Sequence, residues 1–149
     1  MTDAEALALA LIEARAAAGA GEVPVGAVVV QNGVVVGRGQ NRVLRDVDPT
    51  AHAEIVAMRD AARTLENYRL IGCELFVTLE PCAMCAGAMI HARLDRLIYA
   101  AVDPKAGAVG SVLEVLNHPS LNHKMVVTSG VLAEESAELL RSFFRERRT

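Results

Sequence analysis

The stretch Cys73-Glu-Leu-Phe-Val-Thr-Leu79, running into Glu80-Pro81-Cys82-Ala83-Met84-Cys85-Ala86-Gly87-Ala88-Met89-Ile90, decides how this chain is read. Its first half alternates, with Cys73, Leu75, Val77 and Leu79 on one face, which is the period of a β-strand. Pro81 has no amide to donate and a φ already suited to the first turn, so the second half is expected to be a helix reaching about His91. A strand that passes directly into a helix is the unit of an α/β domain. Cys82 and Cys85 lie three apart at the start of that helix, with their sulfurs on the same side.

Outward from this unit, the flanking segments repeat the same grammar. Residues from Thr2 to about Ala18 read as a helix, with capping-box spacing at Thr2 and Glu5 and with Leu7, Leu11 and Ala14 on one face. Gly19 and Gly21 end it. Val25–Val30 and Val34–Gly37 are β-branched runs around Gln31-Asn32-Gly33, a hairpin signal. Asp48-Pro49-Thr50 reads as a helix start, followed by Ile55, Met58, Ala62 and Leu65 at helical spacing. Downstream, the pattern predicts a strand over Arg96–Ala101, a short helix over Ser111–Leu116, a strand over Met125–Thr128 and a closing amphipathic helix from Val131 to about Glu146. The expected fold class is α/β, with an initial hairpin and later parallel strands.

Composition bounds the function classes. A chain of 149 residues, 52% hydrophobic and 22% charged, fits one globular domain over 1–149 and can bury a core. Its net charge is −3, so the whole-chain basic balance of many nucleic-acid binders is missing. Aromatics are 3% of residues, too few for a broad base-stacking platform. No apolar run approaches the roughly 20 residues that span a bilayer, and no charged-then-apolar leader opens the chain. With three cysteines, an odd number, a secreted disulfide scaffold is not expected; a cytoplasmic protein without membrane contact is.

The chemistry concentrates at two predicted helix starts, Thr50-Ala51-His52-Ala53-Glu54 and Glu80-Pro81-Cys82-Ala83-Met84-Cys85. The positive end of a helix lowers thiol pKa values and favours the thiolates that a metal requires. Cys-x-x-Cys alone is equally a redox dithiol. His52 adds an imidazole if neighbouring strands bring the two helix starts together. Two thiolates and one imidazole leave a tetrahedral zinc position open, as in catalytic rather than structural sites. Cys73, on an apolar strand face, reads as a packed thiol, and His91, His118 and His123 read as surface or hydrogen-bonding histidines. Glu54, two residues from a ligand, can reach a water on the metal without binding the metal itself. A lone Glu in a first helical turn would merely favour the dipole. Beside His-x-Glu and Pro-Cys-x-x-Cys together, it matches the stated zinc-deaminase signature.

With these motifs the chain resembles the cytidine-deaminase-like superfamily of zinc deaminases, and within it the bacterial tRNA-specific adenosine deaminases. The resemblance runs through Val23-Pro-Val-Gly-Ala-Val, Asn41, Asp48-Pro-Thr-Ala-His-Ala-Glu, Asn67-Tyr-Arg-Leu, Thr78 to Ile90, Asp103-Pro-Lys-Ala-Gly-Ala-Val-Gly-Ser and Phe143-Phe-Arg-Glu-Arg-Arg. The metal motifs identify the superfamily; the Asp103–Ser111 stretch and the Phe-Phe-Arg ending resemble the tRNA enzymes. Ala100, where the family has glycine, and Val102, often polar in relatives, depart from the pattern.

The resemblance implies a three-layer fold, a mixed five-stranded sheet flanked by helices. It implies hydrolytic deamination of adenosine to inosine at the wobble position of a tRNA anticodon stem-loop, in an arginine tRNA, by a homodimer with one Zn2+ per subunit. His52, Cys82 and Cys85 would be the ligands and Glu54 the proton carrier. Asn41 would position the purine and ribose, or cap its own loop. Asp103 and Lys105 would contact neighbouring nucleotides, Asp103 accepting from a ribose hydroxyl. Arg141, Arg145, Arg147 and Arg148 crowd the last helix beside Phe143 and Phe144, and can form a phosphate-binding edge on an acidic protein. Phe143 is the expected stacking contact, and Arg145 and Arg147 are expected phosphate contacts. Two alternatives stand beside this reading: deamination of guanine or another free purine by the same chemistry, and a non-catalytic zinc RNA-binding module, which needs a fourth protein ligand.

Overall fold

The computed structural model describes residues 1–147. The chain runs α1 (Asp3–Gly19), β1 (Gly26–Gln31), β2 (Val34–Gln40), α2 (Ala53–Leu65), β3 (Cys73–Leu79), α3 (Ala83–Ala92), β4 (Arg96–Ala101), β5 (Val126–Ser129) and α4 (Ala133–Arg147). The sheet order is β2-β1-β3-β4-β5. β1 pairs antiparallel with both β2 and β3, while β3–β4 and β4–β5 are parallel. This is the expected mixed five-stranded sheet. Arg148, part of the expected basic edge, lies outside the described residues.

Alternation along the strands builds two cores. Ala27, Val29, Leu75, Val77, Leu97 and Tyr99 face Ala53, Ala57, Met58 and Ala61 of α2 and Cys85, Ala86 and Met89 of α3. On the opposite face, Val28, Val30, Phe76, Ile98 and Ala100 meet Ala6, Leu7 and Ala10 of α1, with Val131 and Leu132 at the entry to α4. The result is three layers, helices on both sides of the sheet. Among the described residues no helix is long and apolar enough to cross a membrane.

Local signals explain most boundaries. Thr2 Oγ1 accepts from the Glu5 amide and Glu5 Oε1 from the Thr2 amide, closing the capping box of α1. Asn32 and Gly33 both adopt positive φ, 50° and 77°, the backbone of a tight β1–β2 hairpin. Three helices start later than the sequence predicts, α4 at Ala133 rather than Val131 and, more markedly, α2 and α3. Asp48 folds an Asx turn, its Oδ1 accepting from the Thr50 amide at 2.8 Å and hydroxyl at 2.7 Å, so α2 begins after His52. Likewise Cys82, in extended backbone, is the N-cap of α3.

The predicted helix over Ser111–Leu116 does not form. Gly110 has φ of 119°, and its amide donates to Leu113 O; an isolated antiparallel bridge joins Val109 to Glu114. The amides of Val112 and Leu113 both donate back to Gly107 O, and the Ser111 amide is taken by a Glu80 carboxylate oxygen. With those donors committed elsewhere, no i→i−4 ladder is available.

Glycines set the depth of α2. A Cβ on Gly39 would lie inside contact distance of Ala53 O and Ala57 N, and one on Gly37 would meet Ala57 O and Ala61. The Gly37-x-Gly39 face of β2 therefore admits the small stripe Ala53, Ala57, Ala61 directly onto the strand. Gly39→Ala is expected to destabilise the fold by about 1–3 kcal/mol through overpacking, read from the midpoint of urea unfolding. A wild-type midpoint would show that α2 does not depend on this approach.

Candidate metal centre and active-site cavity

Because β1 is antiparallel to both β2 and β3, those two strands run in the same direction on either side of it. Each delivers the chain to the same edge of the sheet and turns into a helix. The starts of α2 and α3 therefore meet, with His52 and Cys82 as their N-cap residues and Cys85 in the first turn of α3. His52 Nδ1 stands 3.6 Å from Cys82 Sγ and 3.5 Å from Cys85 Sγ, and the three donor atoms lie within 4.8 Å of one another. Tetrahedral ligands at ordinary Zn–N and Zn–S bond lengths stand about 3.6 Å apart, so the spacing suits one metal ion. Cys85 is fully buried, and His52 and Cys82 are half-buried.

The protonation states are coupled. Hydrogen bonds from Cys85 and His52 hold the Cys82 thiol down at about 3. The same sulfur–sulfur contact, with burial, pushes the Cys85 thiol up. The bond to Cys82 raises His52. Two sulfurs and an imidazole in such close contact form a donor set that a single cation would satisfy. Glu54, 4% exposed, has its carboxyl pushed up to about 7, principally by burial. That value suits a group that both takes and gives a proton near neutral pH.

These residues line a cavity of about 220 Å³. His52, Glu54 and Cys82 face it together with the apolar Val23, Val25, Ala53, Leu79 and Ala106, and with the polar Asn41, Glu80 and Asp103. An apolar slot with a few convergent polar groups is the usual form of a small-ligand site. Asn41 is 9% exposed, and its Oδ1 accepts from the Val43 amide at 3.2 Å, so it caps its loop and faces the cavity at once. Asp103 Oδ1 accepts from the amides of Lys105 and Ala106, turning the loop. Lys105 is exposed and does not line the cavity.

The residues singled out on α4 stand apart from this pocket. Phe143 is 7% exposed, edge-on to Phe144, and the Arg147 guanidinium covers its ring at 4.1 Å from the centroid. Phe144 is 43% exposed. Between these two rings, Phe144 offers the greater open surface for a base. Arg145 donates to Glu138, and Arg141 pairs with Glu134 and Glu138, so part of the basic edge is neutralised along its own helix.

Cys73 is buried on its strand face, and His123 Nε2 lies 2.6 Å from Leu94 O, in keeping with packing and hydrogen-bonding roles. His52, Cys82 and Cys85 form the one metal-competent cluster among the described residues.

Two buried carboxylates were not singled out by the sequence. Glu22, fully buried, accepts from the amides of Leu44 and Arg45 and from Arg45 Nε. Glu80, 2% exposed, accepts from the amides of Asp103, Val109 and Ser111 and from the Ser111 hydroxyl. Burial pushes both carboxyls up, but their donors outweigh it and hold both below the ordinary range. An available signal for Glu80 was the run Ala106-Gly-Ala-Val-Gly110, rich in amides and poor in side-chain acceptors.

A family model described as MafB19-like deaminase matches residues 1–148. The tRNA-specific adenosine deaminase of Agrobacterium fabrum is 51% identical over 140 residues, covering 94% of this chain and 92% of that protein. The chain belongs to the tRNA-specific adenosine deaminase family. A solved structure from studies of A-to-I editing by tRNA:A34 deaminases at the wobble position of transfer RNA superposes with a TM-score of 0.88 at 48% identity. That match covers 91% of this chain and 99% of the other. The likeness extends to a guanine deaminase from Nitrosomonas europaea, with a TM-score of 0.79, 29% identity and coverage of 94% and 83%. Within the deaminase family the cysteine pair should act as metal ligands and not as a redox couple. Cys82→Ala and Cys85→Ala are each expected to abolish metal retention in elemental analysis, while Cys73→Ala keeps it. Full metal in either of the first two variants would contradict the ligand assignment.

Proposed function

We propose that this protein hydrolytically deaminates adenosine to inosine at the wobble position of a tRNA anticodon loop, releasing ammonia. The observation that carries the reading is the buried Glu54 beside the His52, Cys82 and Cys85 cluster, with His52, Glu54 and Cys82 lining one small cavity. Zinc suits the donor set: two thiolates and a neutral imidazole match its ligand preference and leave a fourth position for substrate chemistry. When bound there, zinc supplies Lewis acidity and lowers the pKa of water to about 7.

The chain's own groups do the rest. Glu54 accepts the proton of the attacking water and delivers it to N1 of adenine as the C6–O bond forms. It then moves the proton of the new C6–OH to the amino group, and the C6–N6 bond breaks with loss of ammonia, leaving the C6=O and N1–H of inosine. Val25, Leu79 and Ala106 offer apolar walls for a purine, and Asn41 is placed to bond its edge or ribose. Loop bases are already partly unstacked, so bringing the target base to C6 attack costs less than from a duplex. Asp103 lines the cavity and Lys105, two residues on, is exposed, which supports reading both as contacts to the flanking nucleotides.

Of the expected basic edge, Arg141 and Arg145 are paired with glutamates of α4, which leaves Arg147 as the described arginine best supported as a phosphate contact. For the stacking contact, burial favours the more open Phe144 over the expected Phe143, whose ring is buried and covered by Arg147. An arginine tRNA is the expected substrate, met in the cytoplasm. A homodimer is supported by the groove between α2 and α3, lined by the apolar Ile55, Met58, Ala62, Leu70, Ala88 and Ala92 with Arg59, Tyr68 and His91, which a second copy would cover.

A stem-loop bearing a wobble adenosine, incubated with zinc-loaded protein, should yield inosine. Glu54→Ala should retain zinc while losing at least about 10²-fold in rate, the scale of general acid–base catalysis. Turnover of free guanine with the RNA unchanged would point to the free-purine alternative, and RNA binding without ammonia release to a non-catalytic module. Arg147→Ala should weaken stem-loop binding and lower the slope of log affinity against log salt by about 1. An unchanged slope would remove α4 from the phosphate contacts.

A further inference from the structure

We propose that Glu80 is a positioning residue for RNA recognition: its carboxylate is the template on which the 103–111 loop folds, and so sets substrate affinity, not the chemical step. This rests on the RNA-deaminase reading above for what the loop contacts.

Both oxygens face donors only. Oε1 takes the Asp103 amide at 3.0 Å and the Ser111 hydroxyl at 2.5 Å, and Oε2 takes the amides of Val109 at 3.0 Å and Ser111 at 3.2 Å. Four donors reach one carboxylate from three points of the loop. No hydrogen bond joins Glu80 to His52, Glu54, Cys82 or Cys85. Glu80 lines the cavity, but its carboxylate's hydrogen bonds all run to the loop.

A second feature agrees independently. A Cβ on Gly107 would collide with the Glu80 carboxyl carbon and both its oxygens. The loop wraps the carboxylate so closely that a hydrogen is all that fits at that position. The backbone end of Glu80 is equally tied: its amide donates to Ala101 O at the end of β4, and Pro81 O accepts from the Ala108 amide. Glu80 thus links the rigid end of β3, one residue before Pro81-Cys82, to the loop carrying Asp103 and Lys105. The distance between the metal ligands and the flanking-nucleotide contacts is set through this side chain.

Glu80→Gln tests it. An amide in place of one carboxylate oxygen points donors at donors, so at least one loop contact is lost. The variant should keep full zinc content by elemental analysis. Its KM for the wobble-adenosine stem-loop should rise about tenfold or more, with kcat changed less than about threefold. Amide hydrogen exchange should accelerate in the 103–111 loop and not in α2 or α3. Ser111→Ala keeps the carboxylate and removes one donor; it should move KM and loop exchange in the same direction by less, and it decides the question if Glu80→Gln does not fold. A fall in kcat at unchanged KM, loss of zinc, or wild-type exchange across 103–111 would overturn the proposal. If the wild-type protein leaves the stem-loop unmodified, the substrate reading fails, and the exchange comparison still tests the role of Glu80 in the loop.

Discussion

Three donor atoms, one imidazole nitrogen and two sulfurs, must be held within 4.8 Å of one another although 30 residues separate the first from the second. The fold solves this with strand direction. β2 and β3 run the same way on either side of β1, so the helices that follow them start side by side. Gly37 and Gly39 let α2 rest on β2 without an intervening side chain, which sets where His52 and Glu54 stand. Both helix starts turn their positive ends toward the ligands, favouring thiolate.

Three buried glutamates then divide the work by environment. Glu22 and Glu80 are surrounded by amide, hydroxyl and guanidinium donors, stay below the usual carboxyl range and hold the loops on either side of the cavity. Glu54 has no comparable set of donors; burial pushes it up to about 7, where a proton can be both taken and given. The same side chain is a structural anion at two positions and, in the proposed reaction, the proton carrier at the third. Solvation and donors decide which.

Much of this was legible in the sequence. The alternating Cys73–Leu79 face, the Asn32-Gly33 turn and the Thr2–Glu5 cap act over a few residues, and each forms as its pattern predicts. His52, Glu54, Cys82 and Cys85 announced themselves by residue type and spacing. What stayed hidden depends on distant partners. The Ser111–Leu116 segment has helical spacing, but its amides are claimed by Gly107 and Glu80, contacts that no local window contains. The burial of Glu80 and Glu22 is invisible for the same reason. The α4 arginines looked like a free basic edge because the ion pairs to Glu134 and Glu138 depend on which rotamers meet along the helix. An acidic chain with few aromatics is therefore expected to read RNA through a shaped cavity and a small charged margin.

On the proposed chemistry, His52, Cys82 and Cys85 bind the metal and Glu54 stands beside it unligated. X-ray absorption at the zinc edge of the loaded protein tests this most directly. Two sulfurs at about 2.3 Å and two lighter atoms at about 2.0 Å are expected, with the same shell in Glu54→Gln. A third sulfur, or a shell that changes when Glu54 is replaced, would contradict it.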